Sequence, residues 1–180
     1  MPINFNPVYS ITSRIAKCLM RIEAAKGKAL SLPVTPAVLS SLRETTKLLT
    51  THYSTMIEGN KLNPNEVKEV IKLKGHFPGR EREEHEIMGY YSALDQLEFY
   101  AKKNNIITDK IIKTLHALVM GNGKTRVKPT TYRDGQNIIK DSATGNIVYM
   151  PPEAKDVATL MRSLIRWINE NNSLPTSSLI

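Results

Sequence analysis

The sequence has one cysteine, Cys18, and no apolar run long enough to cross a bilayer. A single cysteine excludes a disulfide within the chain and is typical of a reducing compartment. The first residues, 1–6, have neither the charged region nor the apolar region of a secretory signal peptide. These absences predict a cytoplasmic protein that does not enter a membrane.

Acidic residues are outnumbered, since 25 Lys and Arg against 17 Asp and Glu give a formal net charge of +8. The excess falls mainly on residues 61–82 and 124–140, a distribution that would suit a nucleic-acid partner. Acidic residues interrupt the first run, however, and no zinc-finger or RNA-recognition spacing accompanies it, so we expect no nucleic-acid partner. A basic face that meets ATP or an acidic target explains the charge as well.

Hydrophobic content of 41% and charged content of 23% are ordinary for one globular domain of 180 residues. Apolar residues recur at helical spacing along most of the chain, and one change of period predicts a β-hairpin over 137–150. A turn signal at 141–146 separates the two apolar runs of that hairpin. We therefore predict an all-α fold with one β-hairpin. The predicted helices cover residues 11–30, 35–58, 63–71, 81–103, 108–118 and 153–171, and Thr35 and Asn63 are predicted to cap the second and third of them.

The end of the second predicted helix carries a hydroxyl and a carboxylate four residues apart, Ser54 and Glu58. Residues at this spacing share one helix face. Glu58 lies in the last turn, where the helix dipole disfavours an anion, and Gly59 with Asn60 ends the helix. Taken alone, the segment is either a solvated glutamate before a glycine cap or a carboxylate that reaches a positive partner elsewhere.

The same segment resembles the inhibitory-helix signature of the Fic family, Ser/Thr-x-x-x-Glu-Gly/Asn. Three further pieces follow in the family's order: Tyr-Arg-Asp at 132–134, apolar runs at 137–139 and 147–152, and a helix containing Trp-Ile-Asn at 167–169. They resemble the Fic flap hairpin and the helix that leads toward the active-site motif. The resemblance covers the chain from residue 35 to its end.

The resemblance implies a division of roles along the chain. Residues 1–60 would form N-terminal helices that end in the inhibitory helix, and residues 61–180 the first part of a Fic-like domain, together one structural unit. The inhibitory residues would be Ser54, Glu58 and Gly59. The flap that docks the target would comprise Asn137, Ile138, Ile139, Ile147, Val148, Tyr149 and Met150.

The catalytic motif of Fic enzymes, His-x-Phe-x-Asp/Glu-Gly-Asn-Gly-Arg, is missing from these 180 residues. Residues 174–176 open an element that the sequence does not complete. The resemblance therefore implies no catalytic residue and no metal ligand in this chain, which alone would be inactive. Transfer of AMP from ATP to a target hydroxyl, with a Mg ion, would belong to a parent protein truncated here at Ile180.

A segment with the spacing of that motif begins at His116 and contains Gly-Asn-Gly at 121–123. Its acidic position is occupied by Met120, which cannot bind a hard cation. The following residues, 124–129, are rich in β-branched and basic types and end in proline. They predict an extended segment and not the helix N-terminus that a phosphate loop needs. We interpret the segment as a coincidental match and His116 as an interior or half-exposed helix residue.

Other candidates for chemistry fail on spacing or position. His85 with Glu86 begins a zincin-like pattern, but Gly89 stands where the second histidine ligand should be. Cys18 lies in a helical stretch and is interpreted as a packing residue. Trp167 falls at helical spacing with other apolar residues and is predicted to lie in the core.

Two functional hypotheses remain. In the Fic-like one, Glu58 would pair with the second arginine of the missing motif and so keep the γ-phosphate of ATP from that arginine. The implied partners are the remainder of the Fic core and an unknown target protein, and a homodimer is left open. In the alternative, the chain is a non-enzymatic helical module that binds a protein or a nucleic acid through its basic surface.

Overall fold

The computed structural model describes residues 4–103 and 106–170. Within them the regular secondary structure is helical apart from one small two-stranded sheet, which confirms the predicted all-α fold with a hairpin. The predicted element at 174–176 lies outside the described residues. The helices are α1 (Ser13–Ser31), α2 (Pro36–Ile57), α3 (Pro64–Lys68), α4 (Glu81–Lys102), α5 (Asp109–Val119) and α6 (Ala154–Glu170), and the strands are β1 (Ile139–Lys140) and β2 (Ile147–Tyr149).

The chain divides into two compact units. The larger unit comprises residues 24–105 and 110–130, and the smaller unit comprises residues 1–23, 106–109 and 131–180. The candidate inhibitory segment belongs to the larger unit, and the candidate flap belongs to the smaller one. The domain division expected from the sequence stays a prediction.

Helix α2 begins and ends where the sequence predicts. The Thr35 hydroxyl accepts a hydrogen bond from the Val38 N–H at 3.4 Å, and Pro36 occupies the first turn, where its missing N–H costs nothing. At the other end, Glu58 is the C-cap residue, and Gly59 has a φ of +96°. A positive φ is readily adopted only by glycine, so the helix stops there.

Helix α3 starts with a reciprocal capping box. Asn63 Oδ1 accepts hydrogen bonds from the N–H groups of Asn65 and Glu66, and Glu66 Oε2 accepts from the Asn63 N–H at 2.8 Å. The helix continues as a π-helical turn, Glu69–Leu73, which ends at Lys74 in the left-handed conformation. The predicted cap is confirmed, whereas periodicity did not indicate the π-helical turn.

The core of the larger unit lies between the loop after α2, α3 with its π-helical turn, and α4. Its fully or nearly fully buried apolar residues are Leu62, Val67, Val70 and Ile87, with Ile71 and Phe77 packed against them. Helices α4 and α5 approach closely, because a Cβ on Gly89 would lie 2.1 Å from the Val119 carbonyl oxygen. This core and this close approach hold α4 as a platform for the end of α2.

Lys47 adds a polar link between α2 and α4. Its ammonium group forms an ion pair with Asp95, lies 3.4 Å from Glu98 Oε1 and sits 4.5 Å from the centre of the Tyr91 ring. Burial by itself lowers the pKa of Lys47, but the hydrogen bond and charge of Asp95 outweigh it, and the net pKa is raised. Lys47 therefore stays charged at neutral pH.

The hairpin of the smaller unit has shorter strands than the apolar runs that predicted it. Ile139 pairs with Tyr149 and Lys140 with Ile147 in antiparallel register, with an irregularity between the two pairs. Gly145, at φ +72°, supplies the left-handed residue of the turn. At the base, Arg133 donates to the carbonyl oxygens of Gly135 and Pro152. The base of the hairpin is thereby closed.

Helix α6 packs within the smaller unit through half-buried residues, and none of its residues is fully buried. Trp167 meets the ring of Phe5 edge-on, with 5.7 Å between centroids, so the core position predicted for it is only half-buried. Asn169 Oδ1 accepts a hydrogen bond from the Ile107 N–H at 3.1 Å, and the Asn169 amide nitrogen donates to the Ile107 carbonyl oxygen at 2.8 Å. The predicted end of this helix at residue 171 lies outside the described residues.

Candidate functional site

A cleft of about 1020 Å³ in the larger unit runs along the end of α2. Its walls come from the last turn of α2, the N-terminal half of α4 and the loop after α5. The polar side chains that line it are Ser54, Thr55, Glu58, Arg82, His85, Glu86, Tyr90 and Asn122. The i, i+4 spacing read from the sequence thus places Ser54 and Glu58 in one cleft.

The two residues differ in their surroundings. Ser54 is half-buried, and its Oγ accepts a hydrogen bond from the Tyr90 hydroxyl at 3.0 Å. Glu58 is exposed, and among the described residues it forms neither a salt bridge nor a side-chain hydrogen bond. Its carboxylate borders the cleft, and no group in the described ranges uses its acceptor capacity.

The nearest arginine of the cleft is already engaged by another acid. Arg82 Nε lies 3.0 Å from Glu86 Oε1, four residues further along α4. In this structure Arg82 pairs with Glu86 and forms no salt bridge with Glu58. Within residues 4–103 and 106–170, the carboxylate of Glu58 has no positive partner.

Asn60, which follows Gly59, is buried with 5% of its surface exposed. Its amide nitrogen donates to the Glu83 carbonyl oxygen at 3.0 Å and to Glu86 Oε2 at 3.1 Å. Its Oδ1 accepts from the Leu62 N–H at 3.1 Å. Sequence reasoning treated Asn60 only as part of a helix stop, and its side-chain partners on α4 were missed because they lie 23 and 26 residues away.

The segment at 116–124 does not form a phosphate cradle. His116 is exposed, with Nδ1 3.0 Å from the Thr130 hydroxyl oxygen. Asn122 and Gly123 both have positive φ, and the chain continues from them through non-helical residues up to the hairpin. No helix N-terminus follows the glycines, as the sequence predicted.

Metal binding has no support within the described part of the chain. No group of three or more His, Cys, Asp or Glu side chains is close enough there to hold an ion. Within that part of the chain, His85 and Glu86 are likewise not joined by further ligands. The same described residues contain no helix long and apolar enough to span a bilayer.

The candidate flap residues are all exposed. Ile139, Ile147, Val148, Tyr149 and Met150 each keep between 53% and 66% of their surface in contact with solvent. Ile138, at 40%, is only slightly less exposed, so the hairpin has no buried apolar face. Among the described residues the strands pair only with each other, so each has an outer edge without a strand partner there.

Comparison with known proteins bears on the fold. No protein-family model matches the sequence. The chain is similar to the crystal structure of a Fic domain-containing signaling protein from Bacteroides thetaiotaomicron VPI-5482, with a TM-score of 0.70 and 20% sequence identity. The similarity covers 86% of this chain and 57% of that one, so this chain spans little more than half the length of that protein. The chain has a Fic-like fold.

Proposed function

We propose that this chain is the inhibitory and target-docking part of a Fic-family protein adenylyltransferase, which transfers AMP from ATP to a hydroxyl of a target protein. The observation that carries the proposal is the carboxylate of Glu58, which lines a cleft one helical turn beyond the half-buried Ser54 and has no partner among the residues that the structure describes. An inhibitory glutamate needs this arrangement, with a fixed backbone and an unpaired carboxylate.

Inhibition would work by competition for one cation. In a form of the protein that contains the Fic motif, Glu58 would pair with the second arginine of that motif. A carboxylate and the γ-phosphate of ATP cannot both occupy one guanidinium, and charge-assisted pairs are among the strongest hydrogen bonds. ATP would therefore bind in an unproductive position until Glu58 is displaced. The ATP and Mg contacts themselves would come from the motif, since the residues described here supply no metal site.

The hairpin would hold the target by main-chain pairing. Its two short strands leave outer edges open, and exposed apolar side chains such as Ile147 and Tyr149 flank those edges. An extended target segment can add to such an edge, with affinity from backbone hydrogen bonds and selectivity from alternate side chains. The target hydroxyl would be presented to the nucleotide in that register.

The decisive experiment begins by reading the gene beyond codon 180 and expressing the full-length protein. In it, Glu58→Gly should raise the rate of AMP transfer by at least about tenfold, the range for loss of a hydrogen bond to a charged group. The control Lys61→Gly introduces the same residue at an exposed loop position outside the cleft and should leave the rate unchanged. An unchanged rate for Glu58→Gly in a protein with the motif would refute the regulatory role.

The 180-residue chain should itself transfer no AMP, because it contains neither the general base nor a metal ligand of the motif. Incubation with labelled ATP, Mg²⁺ and candidate targets tests this. Self-modification that disappears in His116→Ala would contradict the proposal and would make the segment at 116–124 catalytic. A gene that ends at codon 180 would favour the alternative, a helical interaction module with a basic surface.

A further inference from the structure

Hydrogen bonds to α4 on both sides bracket the candidate inhibitory residue. On one side, the Tyr90 hydroxyl donates to Ser54 Oγ at 3.0 Å. On the other side, the Asn60 amide donates to Glu86 Oε2 and to the Glu83 carbonyl oxygen. Glu58 lies between these two anchors and makes no such contact itself among the described residues.

The spacing on α4 matches the spacing of the anchored segment. Glu86 and Tyr90 stand four residues apart and so share one face of α4. That face receives Ser54 before the end of α2 and Asn60 after it. Between them, the backbone closes on itself, because Glu58 and Asn60 both donate their N–H groups to the Thr55 carbonyl oxygen, at 3.0 and 3.1 Å. The Glu58 backbone is therefore fixed from both sides while its side chain stays exposed.

We propose that Tyr90 and Asn60 are positioning residues that hold the end of α2 against α4 and thereby aim the Glu58 carboxylate. This inference rests on the proposed function, in which Glu58 obstructs a γ-phosphate site. A solvated carboxylate on a frayed helix end would spread over many positions, and its pairing with one arginine would carry a larger entropic cost. Because the two flanking residues are already anchored, most of that entropic cost is not incurred when Glu58 pairs with the arginine.

The geometry distinguishes asparagine from aspartate at position 60. Asn60 uses both capacities of its amide, since the nitrogen donates to α4 and Oδ1 accepts from the Leu62 N–H. An aspartate keeps the acceptor but loses the donor, and it places a second carboxylate beside that of Glu86. Asn60→Asp should therefore release the end of α2 while it preserves the turn to Leu62.

Hydrogen exchange of the 180-residue chain tests the anchoring without any assumption about function. The reporters are the amides of Glu58, Gly59 and Asn60, whose hydrogen bonds close the helix end. Tyr90→Phe should speed their exchange about fivefold, and Asn60→Asp by more than that, as expected for loss of one or two partly buried hydrogen bonds.

Two matched controls accompany these variants. Tyr91→Phe removes the hydroxyl of the neighbouring residue, which has no hydrogen-bond partner among the described residues, and keeps the ring that faces Lys47. Asn63→Asp makes the same exchange at the α3 cap, where only Oδ1 is used and aspartate can also cap. Neither should change exchange at residues 58–60. Equal exchange in Tyr90→Phe, Asn60→Asp and these controls would overturn the anchoring.

AMP transfer by the full-length protein tests the positioning. Tyr90→Phe and Asn60→Asp should each raise the rate about threefold to tenfold, less than Glu58→Gly does, because the carboxylate remains but is less well aimed. In a Glu58→Gly background they should have no further effect, which a purely structural role would not predict. Asn60→Asp combined with Glu86→Gln restores a donor–acceptor pair across the gap and should restore inhibition.

The outcomes separate the two claims. If Glu58→Gly activates but the two positioning variants do not, Glu58 inhibits without help from α4 and this inference is wrong. If the positioning variants raise the rate equally in the Glu58→Gly background, they act on something other than Glu58, and the inference is again wrong. If Glu58→Gly leaves the rate unchanged, the proposed function is wrong, and so is the regulatory role of Tyr90 and Asn60. Hydrogen exchange then still decides whether these two residues anchor the end of α2.

Discussion

The end of α2 and the hairpin are segments of similar length that differ in how they are held and in how exposed they are. The end of α2 is tied to α4 by side-chain hydrogen bonds, and Asn60 keeps only 5% of its surface exposed. The hairpin is tied to the protein at its base, and Val148 keeps 66% of its surface exposed. A residue that must occupy one position requires anchors on both sides. A strand that must pair with another chain requires an open edge.

The two regions also differ in how much their contacts contribute to the stability of the fold. The segment from Ser54 to Asn60 leads directly into Leu62, which is 1% exposed in the core of the larger unit. Loosening the end of α2 therefore disturbs packed residues, whereas loosening the hairpin disturbs only its own pairing and the hydrogen bonds at its base. We expect the first region to respond to substitution mainly in stability and the second mainly in binding.

Replacement of isoleucine by alanine at a core position and at a hairpin position should give the largest difference in the free energy of unfolding. Ile87→Ala empties a fully buried site beside Leu62 and Val67 and should lower the free energy of unfolding by about 3 to 4 kcal/mol. Ile147→Ala, at a hairpin position that is 53% exposed, should change it by less than about 0.5 kcal/mol. Urea denaturation followed by far-UV circular dichroism measures both. Similar losses would erase the distinction between the two regions.

A buried carboxylate near the anchored region should have the next largest effect. Glu84 is 8% exposed, accepts a hydrogen bond from the Phe77 N–H, and lies 3.2 Å from His76 Nδ1. Glu84→Ala leaves that N–H without its partner and should cost about 2 kcal/mol of stability at pH 7. Denaturation at neutral pH measures the loss, and Glu69→Ala, at an exposed position whose side chain forms no ion pair or hydrogen bond among the described residues, serves as the control.

The loss at Glu84 should depend on pH in a defined direction. Burial raises the pKa of Glu84, but the Phe77 N–H and His76 outweigh it and the net pKa lies below the ordinary value. A lowered pKa in the folded state stabilises the protein above the unfolded-state pKa, and that contribution disappears as pH falls through the folded-state pKa. The gap between wild type and Glu84→Ala should therefore narrow between about pH 5 and pH 3. A gap that is constant with pH would exclude the ionised carboxylate as its cause.

Substitutions in the strands of the hairpin should change the rate of target modification. In the full-length protein, Val148→Pro removes a main-chain donor from β2 and should lower transfer to the target about tenfold or more. Ser142→Ala alters a turn side chain that has no hydrogen bond among the described residues, and it should leave transfer unchanged. Both variants should unfold at the wild-type temperature. Equal transfer by the two would remove the docking role from the hairpin.

Local chemistry explains why the sequence located the elements so well. Thr35 and Asn63 were predicted as caps, and each accepts the expected backbone hydrogen bonds, because capping depends on residues two or three positions away. The turn of the hairpin was likewise found from its glycine, Gly145. The similarity to a solved Fic domain structure agrees with the all-α fold predicted from the sequence.

Contacts between distant segments explain what the sequence did not reveal. The partners of Asn60 and Ser54 lie 23 to 36 residues away on α4, and no periodicity encodes a single side-chain pairing. The sequence feature that could have indicated these contacts is the i, i+4 pair Glu86 and Tyr90. It can be interpreted only when α4 is known to face the end of α2. The apolar runs of the hairpin likewise did not reveal how exposed their side chains are, such as Ile138 at 40%, because exposure depends on what other segments cover.

The smallest expected effect is a local one at the hairpin turn, where Asp141 should tolerate substitution less well than Ser142. Asp141 Oδ1 accepts hydrogen bonds from the N–H groups of Ala143 and Thr144, at 2.9 and 2.7 Å, and from the Thr144 hydroxyl. The hydrogen bonds from Thr144 are the main reason that the pKa of Asp141 is lowered, and Ala143 adds to them. The ionised carboxylate thus organises the turn that aligns the two strands.

Because the folded-state pKa of Asp141 is lowered, its contribution is present above the ordinary aspartate pKa and is lost as pH falls through the lowered value. The cross-strand nuclear Overhauser effect between Ile139 and Tyr149 should weaken in wild type as the solution is acidified below about pH 4. In Asp141→Asn, whose amide oxygen keeps the acceptor without titrating, the signal should be weaker at neutral pH and should not change over that range. The same acid response in both proteins would show that another group controls the turn, and the contrast between an anchored helix end and a self-organised hairpin would then need a different chemical basis.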